Sequence, residues 1–220
     1  MAIVALNLKT YSESFQEKSL ELLHAVSAQH TPHQLLVCPS VLDSAWMASE
    51  FEKKPNLSLF SQTADPNGFG AHTSSVPMEA LKKIGFEGTL LNHSERKIPH
   101  AQIQKTVEAS KKIGFKVLVC ADSIDEAKKV AAFGPWAVAI EPPELIGSGV
   151  SVSKAQPGVV SDGVRAIKGV DSKVLALVGA GVSNREDFRL SLKLGAEGVL
   201  LASAFVKAKD PKAWLAEFLS

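Results

Sequence analysis

The sequence predicts an α/β chain whose eight parallel strands close into a (β/α)8 barrel, and three observations carry that expectation. Eight short apolar or β-branched runs punctuate the 220 residues. Most of the gaps between them have helical periodicity, and the first run leads into NLKTY rather than the GxGxxG of an open dinucleotide-binding sheet. Parallel neighbours need crossover connections, which helices supply, and eight such repeats are the number that closes a barrel. Residues 1–220 read as one domain, because no linker, charge run or low-complexity tract breaks the rhythm.

In chain order, IVALNL (3–8) is the first strand, and SFQEKSLELLHAVSAQ then gathers its apolar residues on one helical face. LLVC (35–38) and LSLFS (57–61) follow as strands. Residues 62–76 (QTADPNGFGAHTSSV) form a long loop rich in Gly, Ser, Thr and Asn, a length usually tied to function or contacts. SVPMEALKKIG, HAQIQKTVEASKKIG and SIDEAKKVAAFG are helical and alternate with strands 89–92, 117–120 and 136–140. The last of these, WAVAI, is too short for a stable helix, and Pro142 and Pro143 end it by forbidding both helix and ladder. Strand 174–178, the helix NREDFRLSLKLG and strand 198–201 complete the set. Gly85, Gly114, Gly134 and Gly195 stand where a left-handed residue ends a helix.

Composition narrows the function. Lys and Arg (24) nearly balance Asp and Glu (23), so no net field favours nucleic acid or an anionic membrane, and a small metabolite is the expected partner. Cys38 and Cys120 sit inside apolar runs, as core thiols do, which points to a reducing, cytoplasmic setting. No stretch has the length of a membrane span, and the N-terminus starts directly in a strand.

A barrel binds its ligand at the C-terminal ends of the strands, so polar residues just past each strand carry the chemical signal. Glu141 follows WAVAI and is a candidate base; Gly147 and Gly149 beyond it leave backbone amides open to an anion. Asn7 and Lys9 are two apart, hence on one side of an extended chain, and a lysine there could hold an anionic substrate or a developing oxyanion. His93 precedes Ser94, a plausible cap of a short helical turn, and a helix N-terminus favours neutral imidazole. Gly179 and Gly181 expose backbone ahead of a helix that Ser183 or Asn184 could cap, and Ala202 and Ser203 are small enough to admit a ligand to the amides. Each feature alone has an ordinary explanation: a solvated carboxylate, a surface lysine, a structural histidine, a tight turn. Their joint placement after strands one, four, six, seven and eight favours a site.

These residues, as NLK, LLNHSERK, EPPELIGSG and VGAGVSN in this order with GAHTSS in the long loop, resemble triosephosphate isomerase over the whole chain. The shortness of the chain, EPPELIG and the ending LLASAFVKAKDP resemble the archaeal branch of that family. The resemblance implies a TIM-barrel catalyst, without cofactor or metal, that interconverts dihydroxyacetone phosphate and D-glyceraldehyde 3-phosphate. It assigns Glu141 as base, His93 as the group polarising the substrate oxygens and Lys9 as fixed charge, the pairing of acid and base for which this family is the reference case. It further implies that Asn7 binds a substrate oxygen, that Glu95 supports the lysine, and that amides near Gly147, Gly181, Ala202 and Ser203 hold the phosphate. Ile146 would cover Glu141 in a closing loop, mobile when empty, that keeps water from the enediol phosphate. The family is oligomeric, with the long third loop reaching a neighbour's site; Thr73 holds the matching position, a dimer is implied, and the archaeal likeness suggests a tetramer. Pro143 and Glu144 in the first hinge, residues 150–152 in the second, Gly181, and the Ala202–Ser203 pair depart from the common pattern of bacteria and eukaryotes. The rival readings are another phosphate-binding barrel, such as a ribulose-phosphate epimerase or a tryptophan-pathway isomerase, and a non-catalytic barrel scaffold. The histidines here do not supply the strand-end metal ligands that such epimerases need.

Overall fold

The computed structural model describes residues 1–141 and 157–220. Eight strands pair in chain order into a closed, all-parallel barrel: β1 (Ile3–Asn7), β2 (Gln34–Cys38), β3 (Leu57–Ser61), β4 (Gly88–Leu91), β5 (Lys116–Ala121), β6 (Ala137–Ile140), β7 (Leu175–Val178) and β8 (Gly198–Leu201). Each expected strand is present, with ends shifted by a residue or so. Leu8 falls outside the first strand, for example, because Lys9 turns the chain at φ +50, although the Leu8 amide still bonds Cys38 O at 3.0 Å.

Around the barrel run α1 (Glu17–Ser27), α2 (Ser44–Glu50), α3 (Met78–Lys83), α4 (His100–Ile113), α5 (Ile124–Ala131), α6 (Pro157–Val170), α7 (Arg185–Lys193), the short α8 (Ser203–Val206) and α9 (Pro211–Leu219). Local chemistry sets their ends. Ser123 caps α5 by accepting from Glu126 N, and Asp210 caps α9 by accepting from Ala213 N with Pro211 in the first turn. Gly114 closes α4 in the left-handed conformation, and Gly85, Gly134 and Gly195 also have positive φ just past their helices. Among the described residues no helix is long and apolar enough to cross a membrane.

The alternation of strand side chains divides the core into layers. Ile3, Ala5, Leu36, Cys38, Leu118, Cys120, Ala137, Ala139, Leu177 and Leu200 fill the barrel interior. Val4, Leu6 and Leu8, of the opposite parity, pack with Leu22, Leu23, Val26 and Phe218 of the surrounding helices. Val117, Val119 and Val138 do the same against α4, α5 and α6. Both cysteines are buried free thiols of the interior layer, as their apolar settings led us to expect. Asn7, the last residue of β1, keeps the inward parity, and continuing that parity past β6, β7 and β8 places Glu141, Gly179 and Ala202 with it at the mouth of the barrel.

Close packing at the floor is tested at Gly198, whose register partner is Ile3. A Cβ there would lie 2.3 Å from Ile3 O and 2.7 Å from Ile3 Cβ, with backbone that has nowhere to move. Gly198→Ala is expected to lower unfolding free energy by about 1–3 kcal/mol in chemical denaturation. Gly169→Ala, with open space around its Cβ near the end of α6, is expected to be neutral or stabilising by up to ~1 kcal/mol. An unchanged midpoint for Gly198→Ala would show that this pairing is not tight.

Candidate active site

A cavity of about 380 Å³ opens at the strand tops, and Asn7, Lys9, His93, Glu95, Glu141, Gly181, Ala202 and Ser203 all line it. Eight of the residues singled out in the sequence therefore meet at one place. Ile146 and Gly147 lie outside the described residues, as do the two departures in the hinge, Pro143 and Glu144. Thr73 stands exposed in the loop after β3 and is not part of the cavity wall.

Glu141 is held by β-sheet geometry: its amide donates to Ala121 O at 2.7 Å, which extends the β5–β6 ladder by one residue. Its side chain is 2% exposed, and its Oε2 has no hydrogen-bond partner among the described residues. A Cβ on Gly179 would stand 2.5 Å from Glu141 Cγ, so only glycine at that position leaves room for the carboxylate. Burial pushes the Glu141 carboxyl up to about 7, against the opposing pull of the Cys120 contact and the Lys9 and Lys97 charges.

His93 faces Glu141 across 3.6 Å, from Nε2 to Oε1, beyond hydrogen-bonding length. Its Nδ1 accepts the amide of Glu95 at 3.2 Å, which assigns the ring proton to Nε2, the nitrogen directed at Glu141. Burial, then the Lys9 charge, hold the imidazole below its ordinary pKa although Glu95 pulls the other way. His93 is thus a neutral donor. The cause differs from the expected one: residues 94–96 form a turn, closed by Arg96 N to His93 O at 2.8 Å, and the next helix starts only at His100. Ser94 thus lies in a single turn, as expected, but no helix forms there, and α4 begins separately beyond Pro99, which is extended.

Lys9 Nζ lies 2.6 Å from Glu95 Oε1 with the lysine side chain 14% exposed. Lys9 and Asn7 share the cavity and Leu8 the core, as spacing suggested, yet the chain is not extended there. Lys9 is left-handed, and Asn7 Oδ1 secures the bend by accepting Lys9 N at 3.0 Å. Past β7, the neighbour of β6, Asn184 rather than Ser183 caps α7 by accepting Asp187 N at 3.0 Å. The Ser183 amide is spent on Asp187 Oδ2, whereas the amides of Gly181, Ala202 and Ser203 have no acceptor among the described residues. Three unpaired N–H groups around one cavity suit an anion with several oxygens, such as phosphate.

Sequence reasoning missed Gln62, whose Nε2 ties the loops after β1 and β2 by donating to Lys9 O and Cys38 O, each at 3.0 Å. It missed Lys97, paired with Asp122 at 2.9 Å. Gln62 and Asp122 both directly follow strands, so the rule that found Asn7 and Glu141 would have found them too. Tyr11 also lines the cavity, beneath Lys207 Nζ at 4.4 Å from its ring centre, and no strand-end rule reaches it.

Comparison with known proteins places this geometry in context. The family model "Triosephosphate isomerase" matches residues 2–219. The triosephosphate isomerase of Methanobrevibacter smithii is 40% identical over 220 residues, covering 99% of this chain and 97% of its own. That of Methanosarcina acetivorans is 42% identical over 218 residues (98% and 96%), and that of Archaeoglobus fulgidus 39% over 221 residues (100% and 97%).

The burial of Glu141 has a measurable cost. A carboxyl whose pKa rises on folding binds its proton more tightly in the folded chain. Its contribution to stability is present below 4.5, its ordinary value, and is lost as pH rises through about 7. Glu141→Gln removes that loss, so the variant is expected to gain on the wild type by about 3 kcal/mol between pH 4.5 and 8 in urea unfolding. Parallel pH–stability curves for the two proteins would contradict the burial argument.

Proposed function

The chain belongs to the triosephosphate isomerase family and interconverts dihydroxyacetone phosphate and D-glyceraldehyde 3-phosphate, and from that premise we propose that Glu141, His93 and Lys9 carry the reaction. Glu141, as carboxylate, takes a proton from the hydroxymethyl carbon beside the ketone. The C–H electron pair becomes the double bond of an enediolate, and negative charge gathers on the former carbonyl oxygen. His93 Nε2–H donates to that oxygen and then to its neighbour, moving the hydroxyl proton across. Glu141 returns its proton to the adjacent carbon and leaves the aldehyde. Atoms and electrons balance within the substrate, so no redox partner enters.

The observation that carries this reading is one cavity lined by a desolvated carboxylate, a neutral imidazole donor, a lysine and unpaired amides. A base with pKa near the working pH combines a useful ionised fraction with real basicity, as proton abstraction from carbon requires. Neutral His93 matches the proton affinity of an enediolate oxygen better than a cation would. Lys9, fixed by Glu95, offsets the developing charge, and Asn7 binds a substrate oxygen. The amides of Gly181, Ala202 and Ser203 hold the phosphate, with Gly147 and Ile146 completing the enclosure.

The chain assembles in our reading as a homo-oligomer, a tetramer rather than a dimer, and works in the cytoplasm in glycolysis and gluconeogenesis. Exposed Leu42 (82%) and Phe69 (64%), with Phe15, Val41 and Trp46, are the apolar side chains such an assembly would cover, and the Gln16 N to Asp43 Oδ1 bond draws the segments of Phe15 and Leu42 together. Thr73, in the same long loop as Phe69, would then meet a neighbour's site. Light scattering on purified protein should give a multiple of the 23.4 kDa chain mass, falling toward that mass in Leu42→Lys.

The direct test is isomerisation of D-glyceraldehyde 3-phosphate with a chelator present, coupled to reduction of the ketone product. Glu141→Gln should lose at least ~10³-fold in kcat, and Glu141→Asp, which withdraws the carboxylate by one methylene, about 10²-fold with little loss of affinity for a phosphate ligand. Lys9→Met should weaken binding and turnover together. Full activity in Glu141→Gln would remove Glu141 from the mechanism.

A further inference from the structure

Strand parity puts Leu90 inside the barrel and would turn the next-but-one residue, Asn92, toward the mouth, leaving His93 to face the helices. The structure does the reverse. Asn92 has φ +57, a left-handed conformation that asparagine tolerates better than most residues, and the rotation it imposes brings His93 to the cavity. The Asn92 side chain goes sideways into the seam between β4 and β5 and is 4% exposed.

There its hydrogen-bonding capacity is well used. Asn92 Nδ2 donates to Cys120 O at 3.0 Å and to Glu126 Oε1 at 3.3 Å, and Asn92 Oδ1 accepts Ile98 N at 3.1 Å. Glu126 is itself anchored: its side chain meets His100 Nε2 at 2.8 and 2.9 Å, and its amide bonds Ser123 Oγ at 3.1 Å. One side chain therefore fastens both ends of the loop 92–98 to β5 and α5. Within that loop lie His93 and Glu95, and the Glu95 amide is the donor that sets the His93 tautomer.

We infer that Asn92, backed by Glu126 and His100, is a positioning residue that fixes the place and tautomer of His93. The inference rests on the proposed role of His93 as the donor to the substrate oxygens. Removing the clasp leaves the phosphate amides untouched. It lets the imidazole drift by the fraction of an ångström that oriented catalysis does not tolerate.

Asn92→Gly separates the clasp from the backbone, because glycine accepts φ +57 without strain and loses only the three hydrogen bonds. In the full-length protein kcat is expected to fall about 10- to 100-fold with KM within about twofold. The ¹⁵N spectrum of His93 is expected to change from a single Nε2–H form to a mixture of tautomers. Asp210→Ala, which removes the cap of α9 far from the cavity, serves as a control for destabilisation alone: a lower unfolding midpoint with unchanged kcat. Should Asn92→Gly not fold, Glu126→Ala, which leaves Asn92 its Cys120 and Ile98 partners, is expected to lower kcat about threefold to tenfold. Wild-type kcat and a single tautomer in Asn92→Gly, or in Glu126→Ala where that variant stands in for it, would overturn the inference. His93→Gln assayed alongside keeps the two claims apart: if it is fully active, the role of His93 fails, and the tautomer spectrum alone still decides whether Asn92 fixes the ring.

Discussion

Everything at the mouth of the barrel depends on keeping the Glu141 carboxylate out of water. A carboxylate so buried, with one oxygen lacking a partner among the described residues, is an unfavourable thing for a fold to hold. The barrel makes it tolerable by rigidity. The β5–β6 ladder runs on through the Glu141 amide, and the bare backbone of Gly179 presses against its side chain. The same enclosure lifts its pKa to about 7, so the feature that burdens stability is the one that suits the carboxylate to the proposed role of base.

The neighbours are tuned to suit. Were His93 charged, it would pair with Glu141 and lower the base it faces; the Glu95 amide at Nδ1, with burial and Lys9, keeps it neutral. Glu95 acts twice, its backbone fixing the imidazole and its carboxylate holding Lys9. A single turn thus sets the geometry of two groups that belong to different strands. The proposed phosphate site would need no charged side chain: Gly181, Ala202 and Ser203 offer amides without an acceptor among the described residues, while Asn184 takes the Asp187 amide and Asp187 the Ser183 amide.

Strand order, closure and the inward alternation were legible because short apolar runs separated by amphipathic helices leave a parallel sheet few alternatives. Glu141, Asn7, Gly179 and Ala202 were legible for a related reason: each stands at or just past the end of a strand. What escaped was the part of the site where parity breaks. Asn92 and Lys9 adopt left-handed backbone that no periodicity announces, so the turn around His93 was read as a short helical turn capped by Ser94. Lys97 acts through a long side chain toward Asp122 of a neighbouring loop, a contact that exists only once the strand tops converge. Tyr11 reaches the cavity from four residues beyond a strand end, after the left-handed Lys9 has already redirected the chain.

The account turns on the protonation of one group, and that can be observed directly. In ligand-free protein labelled with ¹³C at glutamate carboxyls, the Glu141 resonance, assigned by its absence in Glu141→Gln, should titrate with a midpoint near 7. A midpoint near 4.5, the ordinary value, would mean that water reaches the carboxylate and that burial does not set the strength of this base.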